Sequence, residues 1–187
     1  MSRPKPPESA KLIIGLFTPL KSLCRPVVAV LEKQLGPIDY LSRWLSFDYT
    51  DYYETEMGQP LFRRLCSFHQ LIAQEQLPQI KLFTNELEQE WAQAGRRRIN
   101  LDPGYLLPSR FVLATGKNFA HRIYIGQSIY ADLTLLYEKG RFQTLPWTYP
   151  DYADPGLQAV LDQIRANYMD TLAALPNRGP TGMRKTI

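Results

Sequence analysis

The sequence has little cysteine and histidine, and it lacks the short motifs that identify metal enzymes. Its 187 residues contain two cysteines and two histidines. Two cysteines form no disulfide framework, and Cys24 and Cys66 each follow a leucine, which indicates buried, reduced thiols. Paired-cysteine spacing and the HExxH pattern are both absent, so we predict no metal site, and no cofactor is indicated.

A glycine-rich phosphate loop and long apolar runs are also missing. The Gly116-Lys117 pair comes nearest to a phosphate loop, but Phe111 stands at the first glycine and Asn118 at the Ser/Thr position. The first apolar run, residues 12–17, is too short for a signal-peptide core or a membrane span. We therefore expect a cytoplasmic protein with no membrane partner.

The positive net charge of +4 does not belong to the body of the chain. Residues 1–11 and 176–187 carry +2 and +3, which leaves −1 for the rest. Short segments rich in proline and glycine are typical of disordered tails. We expect basic tails at residues 1–10 and 176–187 and one domain between them, at residues 11–175. Nucleic-acid binding by the folded body is disfavoured.

Two segments of the body carry opposite charges. Residues 37–60 have a net charge of −4, and residues 96–141 have a net charge of +5. The two segments either pair with each other or line the two sides of one cleft.

Hydrophobic periodicity predicts an α+β domain with the ferredoxin-like βαββαβ order. Apolar runs and helix signals place these six elements at residues 11–17, 19–36, 38–48, 61–68, 78–95 and 96–101. Further antiparallel strands are expected at 110–115, 120–125 and 129–137, the last with Asp132 and Thr134 on its polar face. Asp154 and Pro155 then predict the start of a C-terminal helix.

Three clusters of polar and aromatic residues are candidates for a site. The first is a predicted loop over residues 49–59, where Tyr52 and Tyr53 precede Glu54 and Glu56. This loop closes over a ligand, holds a hard cation through its carboxylate oxygens, or is a solvated acidic loop with its rings packed on the sheet. The second is Asp102-Pro103-Gly104-Tyr105, typical of a type II turn, which would aim Asp102 and Tyr105 into a site.

The third cluster lies in the basic segment and contains Lys117, His121, Arg122 and Tyr124. Lysine and arginine offer different contacts to an anion, a point charge and a bidentate fork. His121 and Arg122 are adjacent, so in a strand they would point to opposite faces. The alternative for His121 is a structural residue beside apolar neighbours. Residues 147–152 also have a structural alternative, an aromatic cover on the edge of the core.

Several longer runs resemble one bacterial family. They are GPIDYLS, DYTDYYETEMG, IKLFTNELE, NLDPGYL, the HRIY and IYADLTLLY runs, and WTYPDY. In this order they are similar to domain of unknown function family 4416, over about residues 11 to 152. The resemblance implies no activity, cofactor or partner.

These observations lead to three hypotheses. In the first, the protein binds or acts on a small anionic or phosphate-bearing ligand between the acidic loop and the basic half. Arg98, Lys117 and Arg122 would then contact the anion, with Tyr52, Tyr53, Tyr105 and Tyr124 around it, and Glu54, Asp102 and His121 as acid–base groups. The others are a nucleic-acid-binding module and a protein-interaction subunit. The sequence does not decide whether the protein is an enzyme, or its oligomeric state.

Overall fold

Every residue of the first strand, β1 (Ala10–Thr18), is buried, because side chains cover both of its faces. The computed structural model describes residues 3–175, apart from the Asp51 side chain. On one face, Leu12 and Ile14 pack with the helices α1 (Cys24–Leu35) and α3 (Leu77–Glu90). On the other face, Ile13 packs with the long helix α4 (Pro155–Ala174). The sheet is thus the middle of three layers.

Within the described residues, nine strands form one antiparallel sheet. After β1 they are β2 (Ile38–Leu41), β3 (Leu45–Phe47), β4 (Leu61–Ile72), β5 (Asn100–Leu107), β6 (Arg110–Thr115), β7 (Arg122–Gly126), β8 (Ile129–Glu138) and β9 (Arg141–Thr144). The spatial order is β2-β4-β1-β5-β6-β8-β7, with β3 beside β4 and β9 beside β8. The predicted α+β class, antiparallel sheet and C-terminal helix are confirmed. The ferredoxin-like order stays a prediction.

The end of α1 and the start of α4 follow their sequence signals. Helix α1 ends before Gly36, whose φ of 93° is easily adopted by glycine. The carboxylate of Asp154 accepts a hydrogen bond from the backbone N–H of Leu157, and Pro155 opens α4. The apolar stripe of α4 is buried, except for the exposed Leu175 beyond its end.

Some predicted elements were wrong in detail. Residues 38–48 form two strands, because the Ser42 hydroxyl accepts a hydrogen bond from the Leu65 N–H between them. Residues 51–57 form a 3-10 turn and the short helix α2 (Glu54–Met57) instead of an irregular loop. Strand β9 was not predicted.

The predicted type II turn at Asp102-Pro103-Gly104-Tyr105 is also wrong, since these residues lie inside β5. Pro103 stands opposite Ile14 of β1, and pairing with β6 begins only at Gly104. Gly104 does not have a positive φ. A Cβ atom there would lie 2.5 Å from the carbonyl oxygen of Val112, so this position requires glycine for the close approach of β6.

Residues 3–9 are the described segment that precedes β1. Residues 3–9 are exposed, and the Ser9 carbonyl accepts a hydrogen bond from the Tyr168 hydroxyl. The predicted tail at 176–187 lies outside the described residues. No helix of the described part of the chain is long and apolar enough to cross a membrane.

Candidate ligand-binding cavity

A cavity of about 630 Å³ opens at one end of the sheet, on the face that α4 covers. Its floor includes Phe17 at the end of β1, Asp102 on β5 and Leu113 on β6. Three segments form its walls: Tyr49, Thr50, Tyr52 and Tyr53 before α2, residues 114–117 at the end of β6, and residues 149–152 before α4. The volume is within the range of typical small-molecule sites.

The cavity continues through a gap in the sheet. Strands β5 and β6 pair only from Gly104 opposite Leu113 to Leu107 opposite Arg110. Ala114 and Thr115 therefore pair with β8 alone. Lys81 of α3 and Asn85 line the cavity from the opposite face of the sheet at this point. The Lys81 ammonium donates to the Leu101 carbonyl and lies 3.6 Å from the Asp102 carboxylate.

Aromatic side chains make up much of the wall: Phe17, Phe47, Tyr49, Tyr52, Tyr53, Tyr149 and Tyr152. Phe17 stacks on Phe47 with ring centroids 4.5 Å apart, and Tyr53 packs edge-on against Phe17. Burial raises the pKa of Tyr53, Tyr149 and Tyr152 above the usual range. At neutral pH these hydroxyls are therefore protonated, and they can donate as well as accept hydrogen bonds.

The most deeply buried acid in the cavity is Asp132 on β8, whose side chain is 1% exposed. Its Oδ2 accepts a 2.9 Å hydrogen bond from Arg122 Nε and lies 3.4 Å from His121 Nε2. Its Oδ1 has no hydrogen-bond partner among the described residues. The Arg122 guanidinium also donates to the Lys117 carbonyl and the Tyr149 hydroxyl, so it ties three parts of the wall together.

Lys117 lies at the rim, and its side chain is exposed. The ammonium lies 3.4 Å from the Tyr52 hydroxyl and 4.8 Å from the centre of the same ring. No carboxylate of the described residues lies within ion-pair distance of it. The neighbouring Gly116 has open space around its Cα, so a ligand can approach the backbone there.

A buried ion pair supports the wall that precedes α4. Arg63 of β4 is 1% exposed and pairs with Asp151. The guanidinium lies 4.5 Å from the centre of the Tyr152 ring, and Gly15 leaves it the space that a side chain would fill. The pair thus fixes residues 151 and 152 on the sheet.

A second ion pair holds α2, the short helix that follows the cavity residues Tyr52 and Tyr53. Arg97 donates to both carboxylate oxygens of Glu56, at 2.7 Å and 2.6 Å, and to Asn100 Oδ1 at 2.8 Å. Hydrogen bonds from Arg97 hold the pKa of Glu56 below its usual range. Glu88 lies 3.4 Å from the same guanidinium, and burial raises the pKa of that carboxyl group. Arg97 thereby connects α2, α3 and the start of β5.

A family model for a domain of unknown function, DUF4416, matches residues 8–168. The chain belongs to this family. Comparison with curated proteins and with solved structures found no match. All residues that line the cavity fall between positions 17 and 152, so the cavity lies entirely within the DUF4416 domain.

The DUF4416 fold brings four of the predicted site residues to the cavity: Tyr52, Tyr53, Asp102 and Lys117. Two others stand behind its wall, since Arg122 and His121 contact Asp132. Glu54, with Glu56 and Arg98, borders a separate shallow depression. Tyr105 is buried in the layer with Leu77 and Leu107, and Tyr124 is exposed on β7 beside Tyr130.

The expectation that His121 and Arg122 point to opposite faces was wrong. His121 precedes β7, which begins at Arg122, so the alternation of a strand does not apply to it. Its ring stacks on Trp147 with centroids 4.8 Å apart. Both side chains consequently reach the same oxygen of Asp132.

Sequence reasoning missed Arg63, Lys81, Arg97, Asp132 and Asp151. Arg63 alternates with Leu61 and Leu65, and that period places an arginine on a buried face, a signal that was available. Asp132 was assigned to an exposed face, but Asp132 and Thr134 are buried. Residues 147–149 cover this face, where the Thr148 hydroxyl donates to the Thr134 carbonyl.

Metal ligands do not cluster here. Within residues 3–175, no group of three or more His, Cys, Asp or Glu side chains is placed to hold a metal ion. Burial raises the pKa of the Cys66 thiol to about 12, so this cysteine is protonated at neutral pH.

Proposed function

We propose that this protein binds a small anionic ligand, such as a phosphate-bearing metabolite. The ligand would lie in the cavity between Tyr52 and Tyr53 of the acidic segment and Lys117 of the basic segment. The observation that carries the proposal is Lys117, an exposed ammonium group at the rim with no ion-pair partner among the described residues. A cation at the mouth of a concave, largely aromatic site is suited to an anionic group.

The backbone next to Lys117 supports the same assignment. Gly116 lines the cavity and has no atom within 4 Å of the place a Cβ would occupy. An anion at Lys117 can therefore lie close to the main chain. The tyrosines around it are neutral donors, and they provide further contacts without repelling negative charge.

Asp102 is the acid–base candidate that lines the cavity, and its surroundings suit a fixed carboxylate. Asn100 Nδ2 donates to Asp102 Oδ2 at 2.8 Å, and Lys81 lies beside Oδ1. In this proposal Asp102 orients the uncharged part of the ligand. The proposal concerns binding and names no reaction.

The test is a thermal-shift screen of nucleotides, sugar phosphates and carboxylates, followed by titration of any compound that raises the unfolding midpoint. Lys117→Met removes the charge and keeps most of the stem. Loss of one charge-assisted contact should weaken an anionic compound by about 1.5–3 kcal/mol and leave unfolding nearly unchanged.

Lys33→Met is the matched control, because Lys33 is an exposed lysine on α1 that does not line the cavity. It should bind the same compound with wild-type affinity. The proposal fails if no anionic compound shifts the wild-type protein, or if Lys117→Met and Lys33→Met bind equally well.

We also infer that β1 to β5, with α1 and α3, form a ferredoxin-like unit to which β6 to β9 are added. The order β2-β4-β1-β5 and the antiparallel pairing of these strands support this inference. Comparison of this unit alone with ferredoxin-like structures would test it, and a left-handed crossover through α1 would contradict it.

A further inference from the structure

The Oδ1 atom of Asp132, which has no hydrogen-bond partner among the described residues, points to a second subsite in the cavity. Asp132 lines the cavity, yet its side chain is 1% exposed. A buried acceptor without a partner costs free energy, and the cost is larger for a charged group. Such a group in a folded protein usually has a ligand or a bound water as its partner.

The orientation of this carboxylate is fixed by its other oxygen. Oδ2 accepts from Arg122 Nε, and Arg122 is itself held by the Lys117 carbonyl and the Tyr149 hydroxyl. Oδ1 is therefore a preorganised acceptor. Because Arg122 already balances the charge of Asp132, a neutral donor is sufficient to satisfy Oδ1.

The class of donor follows from the surroundings. A second carboxylate or a phosphate group would be repelled, and the described residues offer no cluster of metal ligands. The aromatic walls favour a flat group, since rings pack face-on or edge-on against planar partners. A planar amide or amino group meets both conditions.

We propose that Asp132 Oδ1 accepts a hydrogen bond from a planar N–H group of the ligand, so that the ligand carries an amide or ring-amino group as well as its anion. This inference rests on the proposed function of the cavity, but it uses a different wall residue. Lys117 would hold the anionic group at the rim, and Asp132 would select the donor group inside.

Benzamide and acetophenone form a matched pair of probes, because they differ by an NH2 group in place of a CH3 group. NMR titration should show benzamide binding the wild-type protein at least about 10-fold more tightly, the factor expected for one hydrogen bond to a charged acceptor. Asp132→Asn can present its own amide N–H to the cavity, so the ratio of the affinities for benzamide and acetophenone should fall towards one.

Glu138→Gln is the control for loss of negative charge on the same strand, because Glu138 is exposed and does not line the cavity, and it should keep the preference for benzamide. Asp132→Asn can also disturb Arg122, so a second measurement uses the wild-type protein alone. In a crystal soaked with benzamide, the amide nitrogen should lie within hydrogen-bond distance of Asp132 Oδ1.

Equal binding of the two probes, no binding of benzamide, or a benzamide nitrogen placed elsewhere would overturn the inference. An equal loss of preference in Glu138→Gln would overturn it too. Titration with inorganic phosphate separates the two proposals. A phosphate effect lost in Lys117→Met and kept in Asp132→Asn leaves the proposed function standing even when the benzamide result is negative.

Discussion

At the scale of single residues, Gly104 is required by packing and not by backbone conformation. Its place between Pro103 and Tyr105 predicts a turn, but β1 and β6 flank this segment and hold it as a strand. A local sequence pattern cannot show that the carbonyl oxygen of Val112, on β6, would lie 2.5 Å from a Cβ atom at position 104. Local turn chemistry was overridden by long-range pairing.

Gly104→Ala should therefore destabilise the fold by about 1–3 kcal/mol, the usual cost of forcing extra atoms into packed structure. Gly116→Ala is the matched control, because open space surrounds that position, and it should change the free energy of unfolding by less than about 0.5 kcal/mol. Urea denaturation measures both. Equal stability of the two variants would contradict the close approach of β6.

At the scale of elements, the segment between β9 and α4 is part of the site although it has no regular structure. Its Trp147 indole donates to the Leu133 carbonyl at 2.8 Å, and its Asp151 pairs with Arg63. The sequence predicted only an aromatic cover here. The pairing of residues 88 positions apart leaves no periodic signal, so the sequence could not reveal it.

Asp151→Asn should leave the buried Arg63 guanidinium without a counter-charge. Removal of one partner of a buried pair typically costs roughly 3–5 kcal/mol. The double variant Arg63→Met with Asp151→Asn should recover part of this loss, because no unpaired charge remains. Equilibrium unfolding of the single and double variants measures the difference. A double variant less stable than Asp151→Asn would show that the pair matters through packing alone.

The Glu56–Arg97 pair gives a prediction with a defined pH dependence. The pKa of Glu56 is lowered in the folded protein, so its ionised form stabilises the fold above the ordinary glutamate pKa. This contribution is lost as the pH falls through the lowered pKa. Glu56→Gln should cost up to about 1 kcal/mol at pH 7, since the pair is partly exposed.

The difference between Glu56→Gln and wild type should then shrink as the pH falls through the lowered pKa of Glu56, because the carboxyl group becomes protonated. Urea unfolding at pH 7 and over a series of lower pH values measures it, with Glu138→Gln as a control at an exposed acid. A difference that stays constant with pH would mean that charge does not hold α2 against Arg97.

At the scale of the whole molecule, the two oppositely charged segments of the sequence pair with each other in part. Glu56 of the acidic segment pairs with Arg97 of the basic segment, and Tyr52 lies beside Lys117 at the rim of the cavity. Element types and the core stripe of α4 were also predictable, because both depend on local periodicity. The order of nine strands and the gap between β5 and β6 depend on tertiary pairing, and no local pattern encodes them.

The central claim is that the cavity binds an anion at Lys117. The most direct measurement is an NMR titration of isotope-labelled protein with inorganic phosphate, in which each backbone amide reports its own surroundings. The account predicts that the largest shifts occur at Thr115, Gly116 and Lys117, with smaller ones at Tyr149, Asp151 and Tyr152, and that Lys117→Met removes them. Shifts confined to the basic termini, or to the depression around Arg98, would contradict it.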